Sequence, residues 1–140
     1  MGYQWDFGLV LKYMDFLLEG FFGTLKIGLT SLAFGVVVGL ILAFMRMSKY
    51  RVISIPTTFV IEFLRMTPLL ALLFWVYFAL PIVIGITLNA FMAGLITFTF
   101  QSGAFFAEVY RGGIQSIHKS QWEGGRALGM TTPALMRRII

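Results

Sequence analysis

Residues 66–107, MTPLLALLFWVYFALPIVIGITLNAFMAGLITFTFQSGAFFA, contain no Asp, Glu, Lys or Arg. One helical membrane span takes about 20 residues, so this run is too long for one span and right for two. The break falls at Pro81 to Thr87, because proline lacks the donor that a continuing helix needs. Toward the N-terminus, Ile27–Met45 is a second charge-free run, long enough for one more span. Pro56 suits the first turn of the helix that leads into the long run. The reading is an all-α integral membrane fold with spans at about 25–46, 56–80 and 87–108.

Composition agrees. Hydrophobic residues make up 59% of the chain and charged ones 12%, whereas about a quarter of a soluble chain is charged. The formal net charge of +5 is therefore read by position, as a loop signal and not as a nucleic-acid surface. The absence of cysteine excludes disulfides, thiol catalysis and thiolate-held metals, and the single histidine, His118, offers no metal cluster. Asp6, Asp15 and Glu19 near the N-terminus are not the basic start of a cleavable signal peptide.

Arg46, Lys49 and Arg51 follow the first run at once, and Glu108, Arg111, Lys119, Arg126, Arg137 and Arg138 follow the last. Both positive excesses mark cytoplasmic segments, which puts residues 46–55 and 108–140 inside and the N-terminus outside. Residues 7–21 alternate apolar and charged positions at helical spacing and read as an interfacial helix lying along the membrane surface. Gly28, Ser31, Gly35, Gly39 and Ala43 recur every three or four residues, a stripe that lets another helix approach closely.

Behind the last span, Ser120-Gln121-Trp122-Glu123 fits a capping box, Gly129 is placed to end that helix in a left-handed turn, and Thr132 with Pro133 can start a second. Gly124 and Gly125 each weaken the first helix by about 1 kcal/mol relative to alanine. So short a pair persists only if other contacts hold it or a partner seats it, with Trp122 and Leu128 as apolar anchors.

Glu123, Gly129 and Ile139 stand at the spacing of the Glu-Ala-Ala, three residues, Gly, nine residues, Ile signature, with Gly124 and Gly125 in place of the two alanines. Three further stretches stand in order with it: Leu17-Leu18-Glu19-Gly20 with Thr24-Leu25-Lys26, Glu62 through Leu70, and Ser102 through Glu108 with Arg111-Gly112-Gly113-Ile114-Gln115. Together they resemble the integral-membrane permease subunits of bacterial ABC importers, in the polar amino acid branch that takes His, Gln, Arg or Lys. Met66 departs from that branch's glycine and Leu72 from its glutamine.

The resemblance implies one ABC transmembrane domain over 1–140, C-terminally incomplete, with three of five spans and a cytoplasmic coupling segment at 112–140. It implies a bacterial inner-membrane permease that carries a polar amino acid delivered by an extracytoplasmic solute-binding protein and pairs with a second permease subunit. A separate cytoplasmic ATPase would use ATP and Mg and dock on the 120–139 knuckle through Glu123, Gly124, Gly125, Leu128, Gly129 and Ile139. No cofactor is expected in this chain. With no Gly-Lys-Ser/Thr loop it is not read as the enzyme that hydrolyses ATP.

Six residues are candidates for the substrate pathway. Glu62 and Arg65 share a helix face, either as an interfacial ion pair or as pathway lining. Pro68 frees the carbonyl of Leu64, so Thr67-Pro68 is a kink, for packing alone or for a midplane site. Gln101 and Ser102 serve interhelical hydrogen bonding or line the path. A different class of function, a non-transport membrane subunit that docks a cytoplasmic partner, is compatible with the same knuckle.

Overall fold

The computed structural model describes residues 8–138, and the described residues are helical with short connections. After a short helix α1 (Gly8–Lys12), helix α2 runs from Met14 to Arg46 without interruption. The expected surface helix over 7–21 is thus not a separate element: the break is at Tyr13, and residues 14–21 continue directly into the first apolar run. No capping side chain or proline stands between Glu19 and Ile27 to stop the helix, and the Thr24 hydroxyl donates back to the Gly20 carbonyl at 2.9 Å. At 1.5 Å per residue the 33 residues of α2 extend about 50 Å, well beyond a hydrocarbon core of about 30 Å.

Helix α3 (Arg51–Met66) follows a tight loop, and its Ser54 hydroxyl donates back to the Arg46 carbonyl at 2.7 Å, satisfying one open acceptor at the end of α2. Pro56 lies well inside α3 and not in its first turn. A break at Thr67-Pro68 separates α3 from α4 (Leu69–Phe74), a π-helical turn (Trp75–Ala79) and α5 (Leu80–Ile84), and the second arm is bent by 109° from the first. Pro81 does not end this arm. The Leu80 N–H bonds to the Trp75 carbonyl with the long π spacing, a local widening that helices use to admit irregular residues. The arm ends at Gly85 instead, in a left-handed conformation with φ +73°.

Helix α6 (Ala90–Gln115) begins at Asn89, whose side chain accepts from the Met92 N–H at 2.8 Å, and runs seven residues past Glu108. Among the described residues, α2 and α6 are long and apolar enough to cross a membrane, and the α3–α5 pair makes a third span only if its bent arms count as one.

Helices α2 and α6 form the core seam. On α2 the buried positions are Ser31, Gly35, Gly39 and Ala43; Gly28, the fifth residue of the expected stripe, faces a cleft. A Cβ on Gly39 would stand 2.5 Å from Phe106 Cβ and 2.8 Å from the Gly103 carbonyl oxygen, and one on Gly35 would collide with the Ser102 hydroxyl. Gly94, Ser102, Gly103, Phe106 and Ala107 supply the facing surface of α6. Close backbone approach of this kind maximises dispersion contact where lipid offers no hydrophobic drive. Near one end of the seam, Ile61 of α3 inserts fully buried beside Ala43, Ala104 and Ala107.

Candidate functional site

Residues 61–65 of α3 meet α2 at Ala43–Arg46 and α6 at Ala104–Glu108. Helix α3 therefore crosses the α2–α6 pair near its end and does not run beside it. Glu62 and Arg65, expected in the first turns of the second span as an interfacial ion pair or as pathway lining, stand at the level where the charge-free runs of α2 and α6 finish. That placement removes most of the cost of putting charge in lipid.

They also do not pair with each other. Glu62 faces Arg46 of α2 at 3.4 Å, and Arg65 faces Glu108 of α6 at 3.8 Å while lying 5.5 Å from the centre of the Phe105 ring. Glu108 is the hub. Its Oε1 accepts from Arg46, and its Oε2 accepts from Arg111 Nη2 at 2.9 Å and Nε at 3.2 Å. Its side chain is only 17% exposed, against 47% for Glu62. The Glu108–Arg111 pair was legible as an i,i+3 spacing; the Arg46–Glu108 link was not, because the partners are 62 positions apart.

At the break, Pro68 lacks the N–H that would bond the Leu64 carbonyl. Gln101 reaches across from α6 and donates to the Leu64 and Thr67 carbonyls at 3.4 and 3.3 Å. This is the interhelical reading of Gln101, with partners that chain chemistry had freed. The Thr67 hydroxyl bonds its own Phe63 carbonyl at 2.7 Å, and the Ser102 hydroxyl bonds Phe98 at 2.6 Å.

The six pathway candidates do not converge on one cavity. Gln101 and Ser102 line a cleft of about 260 Å³ with Gly28, Ser31 and Leu69. Glu62, Thr67 and Pro68 line another, of about 400 Å³, beside Phe59 and Met66. Arg65 turns to Glu108.

Beyond α6, helices α7 (Lys119–Ala127) and α8 (Thr132–Arg138) form the expected pair. The joint is a complete Schellman motif: the Met130 N–H bonds the Gly125 carbonyl at 3.0 Å, the Gly129 N–H bonds the Arg126 carbonyl at 2.9 Å, and Gly129 has φ +74°. The capping box is absent. Helix α7 starts one residue before Ser120, with His118 at the cap position and no side-chain cap bond. Ser120 is then inside the first turn, and Glu123 pairs with Lys119 at 3.2 Å, both well exposed. Helix α8 opens at Thr132, with the Thr131 carbonyl accepting from the Leu135 N–H, so Thr132 is not the cap residue. Gly125 and Leu135 are buried, whereas Leu128 is 82% exposed and Trp122 is half-buried. Ile139 lies outside the described residues.

The family of binding-protein-dependent transport system inner membrane components matches residues 35–140. A Rickettsia prowazekii (strain Madrid E) protein named as a glutamine transport system permease, GlnP, is 40% identical over 134 residues, covering 94% of this chain and 62% of the relative. YckA of Bacillus subtilis (strain 168), named as an amino-acid ABC transporter permease, is 37% identical over 141 residues, covering 98% of this chain and 62% of its own. A crystal structure of an amino acid ABC transporter with histidines superposes with a TM-score of 0.86 at 36% identity, over 96% of this chain and 63% of that one. The inward-facing MetNI methionine ABC transporter superposes with a TM-score of 0.70 at 22% identity, over 91% of this chain and 62% of that one, which shows a shared fold. The chain thus spans about 62% of the length of the curated relatives it matches.

Proposed function

Because the chain belongs to the family of binding-protein-dependent transport system inner membrane components, we propose that it is a permease subunit of an ABC importer for polar amino acids. In this reading it contributes part of a translocation path in a bacterial inner membrane and pairs with a second permease subunit. Cargo arrives from an extracytoplasmic binding protein. A separate ATPase supplies the work, and the enzyme chemistry belongs to that chain.

The observation that carries the coupling half of the proposal is the α7–α8 pair. It follows a long apolar helix, is closed by a full Schellman turn at Gly129, and leaves Leu128 exposed at the joint. An ATPase groove that received Leu128 and the Glu123 face would hold the pair as a rigid body. Glu123, Gly124, Gly125, Leu128, Gly129 and Ile139 are the proposed docking residues. Glu62, Arg65, Thr67, Pro68, Gln101 and Ser102 remain the proposed path residues, the first two near the cytoplasmic mouth and the rest around the break. The N-terminus would be outside, with residues 46–55 and 108–140 in the cytoplasm.

Reconstitution of the complete complex in proteoliposomes tests the proposal. A labelled polar amino acid should accumulate only with ATP and a loaded binding protein. Uptake independent of both would contradict it. Orientation has its own test: with no native cysteine, a cysteine at Lys49 should resist an impermeant thiol reagent in intact cells, and rapid labelling there would invert the topology.

A further inference from the structure

We propose that Glu108 is the positioning residue that couples the broken α3–α5 element to the α7–α8 pair. The proposal rests on the transport reading and names a residue through which that reading would work. One carboxylate is shared by guanidinium groups from three helices: Arg46 of α2, Arg65 of α3 and Arg111 of α6 itself. Glu62 is the only other carboxylate in the described cluster, and it touches Arg46 alone. Three arginines against two glutamates leave the cluster with a net charge of +1. Without Glu108, three arginines face one half-exposed acid, and their mutual repulsion has to move the helix ends apart.

The contacts differ in tightness. Arg46 and Arg111 bond Glu108 closely, whereas α3 is held by the 3.8 Å Arg65 contact and the 3.4 Å Arg46–Glu62 contact. The α2–α6 seam is close-packed, with Gly39 against Phe106 and the Gly103 carbonyl. Helix α3 is therefore the member whose ion contacts loosen first. Gln101 stands seven residues before Glu108, on the same face of α6, and holds the break carbonyls of Leu64 and Thr67. Helix α6 thus grips the last turn of α3 at two points on one face.

The same helix carries the grip to the knuckle. Arg111, fixed on Glu108, donates onward to Gln115 at 2.7 Å, the last residue of α6, and α7 begins four residues later. Rotation of α7 and α8 by an ATPase would be delivered along this stalk to Glu108, and from there to Arg65 and the bend at Thr67-Pro68. Glu108 touches no cargo in this scheme. It sets the position of groups that do.

The test uses the complete transporter in proteoliposomes and reads amino acid moved per ATP hydrolysed, together with ATPase rate with and without cargo-loaded binding protein. Glu108→Gln keeps the shape and removes the charge. It should leave basal ATPase activity and subunit co-purification near wild type while transport per ATP falls ~tenfold, a typical size for coupling between sites. Glu108→Asp, which keeps the charge, should recover part of that loss. Arg111→Gln, which cuts the link from Glu108 to Gln115, should show the same uncoupling more weakly. Unchanged transport per ATP in Glu108→Gln would overturn the proposal, as would a proportional fall of transport, ATPase activity and co-purification in both Glu108→Gln and Arg111→Gln, the mark of a purely structural role. A wild-type complex that moves no amino acid would overturn the transport reading itself and this proposal with it.

Discussion

The α2–α6 seam and the α7–α8 knuckle both depend on glycine, for opposite reasons. In the seam, Gly35 and Gly39 are needed because α6 occupies the space a side chain would fill, with the Ser102 hydroxyl against Gly35 and Phe106 and the Gly103 carbonyl against Gly39. In the knuckle, Gly129 has nothing within 4 Å of a built Cβ, yet its φ of +74° is one that residues with a Cβ rarely adopt. The seam is complete within this chain. The knuckle buries Gly125 and Leu135 but leaves Leu128 exposed at its corner. A region that satisfies its own contacts explains stability, and one that leaves an apolar corner open points to a partner.

That contrast breaks most visibly at Gly39. Gly39→Ala should destabilise the purified protein by about 1–3 kcal/mol, the range for overpacking a well-filled contact, read as a lower unfolding midpoint in detergent. An unchanged midpoint would mean that the seam has room the geometry denies. Next in size, Gln101→Leu removes the donor for the Leu64 and Thr67 carbonyls, and we expect a loss of about 1 kcal/mol, since both bonds are long and only partly buried. A neutral result would assign the break to Pro68 and packing alone. Smaller and opposite in sign, Gly124→Ala meets open space inside a helix and should stabilise by up to about 1 kcal/mol, seen as slower amide exchange across α7. Destabilisation there would show that Gly124 is pressed against a neighbour in the assembled protein.

Much of the fold was legible in the sequence, because the cues were local. The stripe from Ser31 to Ala43 gave the seam, and Gly129 gave the turn, since a Schellman motif needs only a few adjacent residues. Three of the readings that moved show why the rest was not. Pro81 was taken as a stop, but a π-helical turn before it absorbs the missing donor, and Gly85 ends the arm. Ser120 was taken as a cap, but the cap position falls two residues earlier, at His118, and leaves the Ser120 hydroxyl inside the first turn. Glu62 and Arg65 were paired by spacing, yet tertiary partners, Arg46 and Glu108, claim both. The candidate site was less legible than the fold for that reason: i,i+3 spacing shows which charges can meet on one helix, and only the crossing of α3 over α2 and α6 decides which do.

The central claim, that the knuckle is the seat of an ATPase, is tested most directly by Gly129→Asp in the complete complex. A left-handed conformation costs a residue with a Cβ roughly 1 kcal/mol or more, although Asp is among the less penalised, and the change adds a charge at the corner beside Leu128. Membrane insertion and the unfolding midpoint of the spans should stay at wild type, while the ATPase that co-purifies and the uptake it drives should both be lost. Lys119→Ala, at the exposed start of α7, is the control and should be mild. A Gly129→Asp permease that still retains its ATPase and transports at the wild-type rate would contradict the account and leave the knuckle a surface loop.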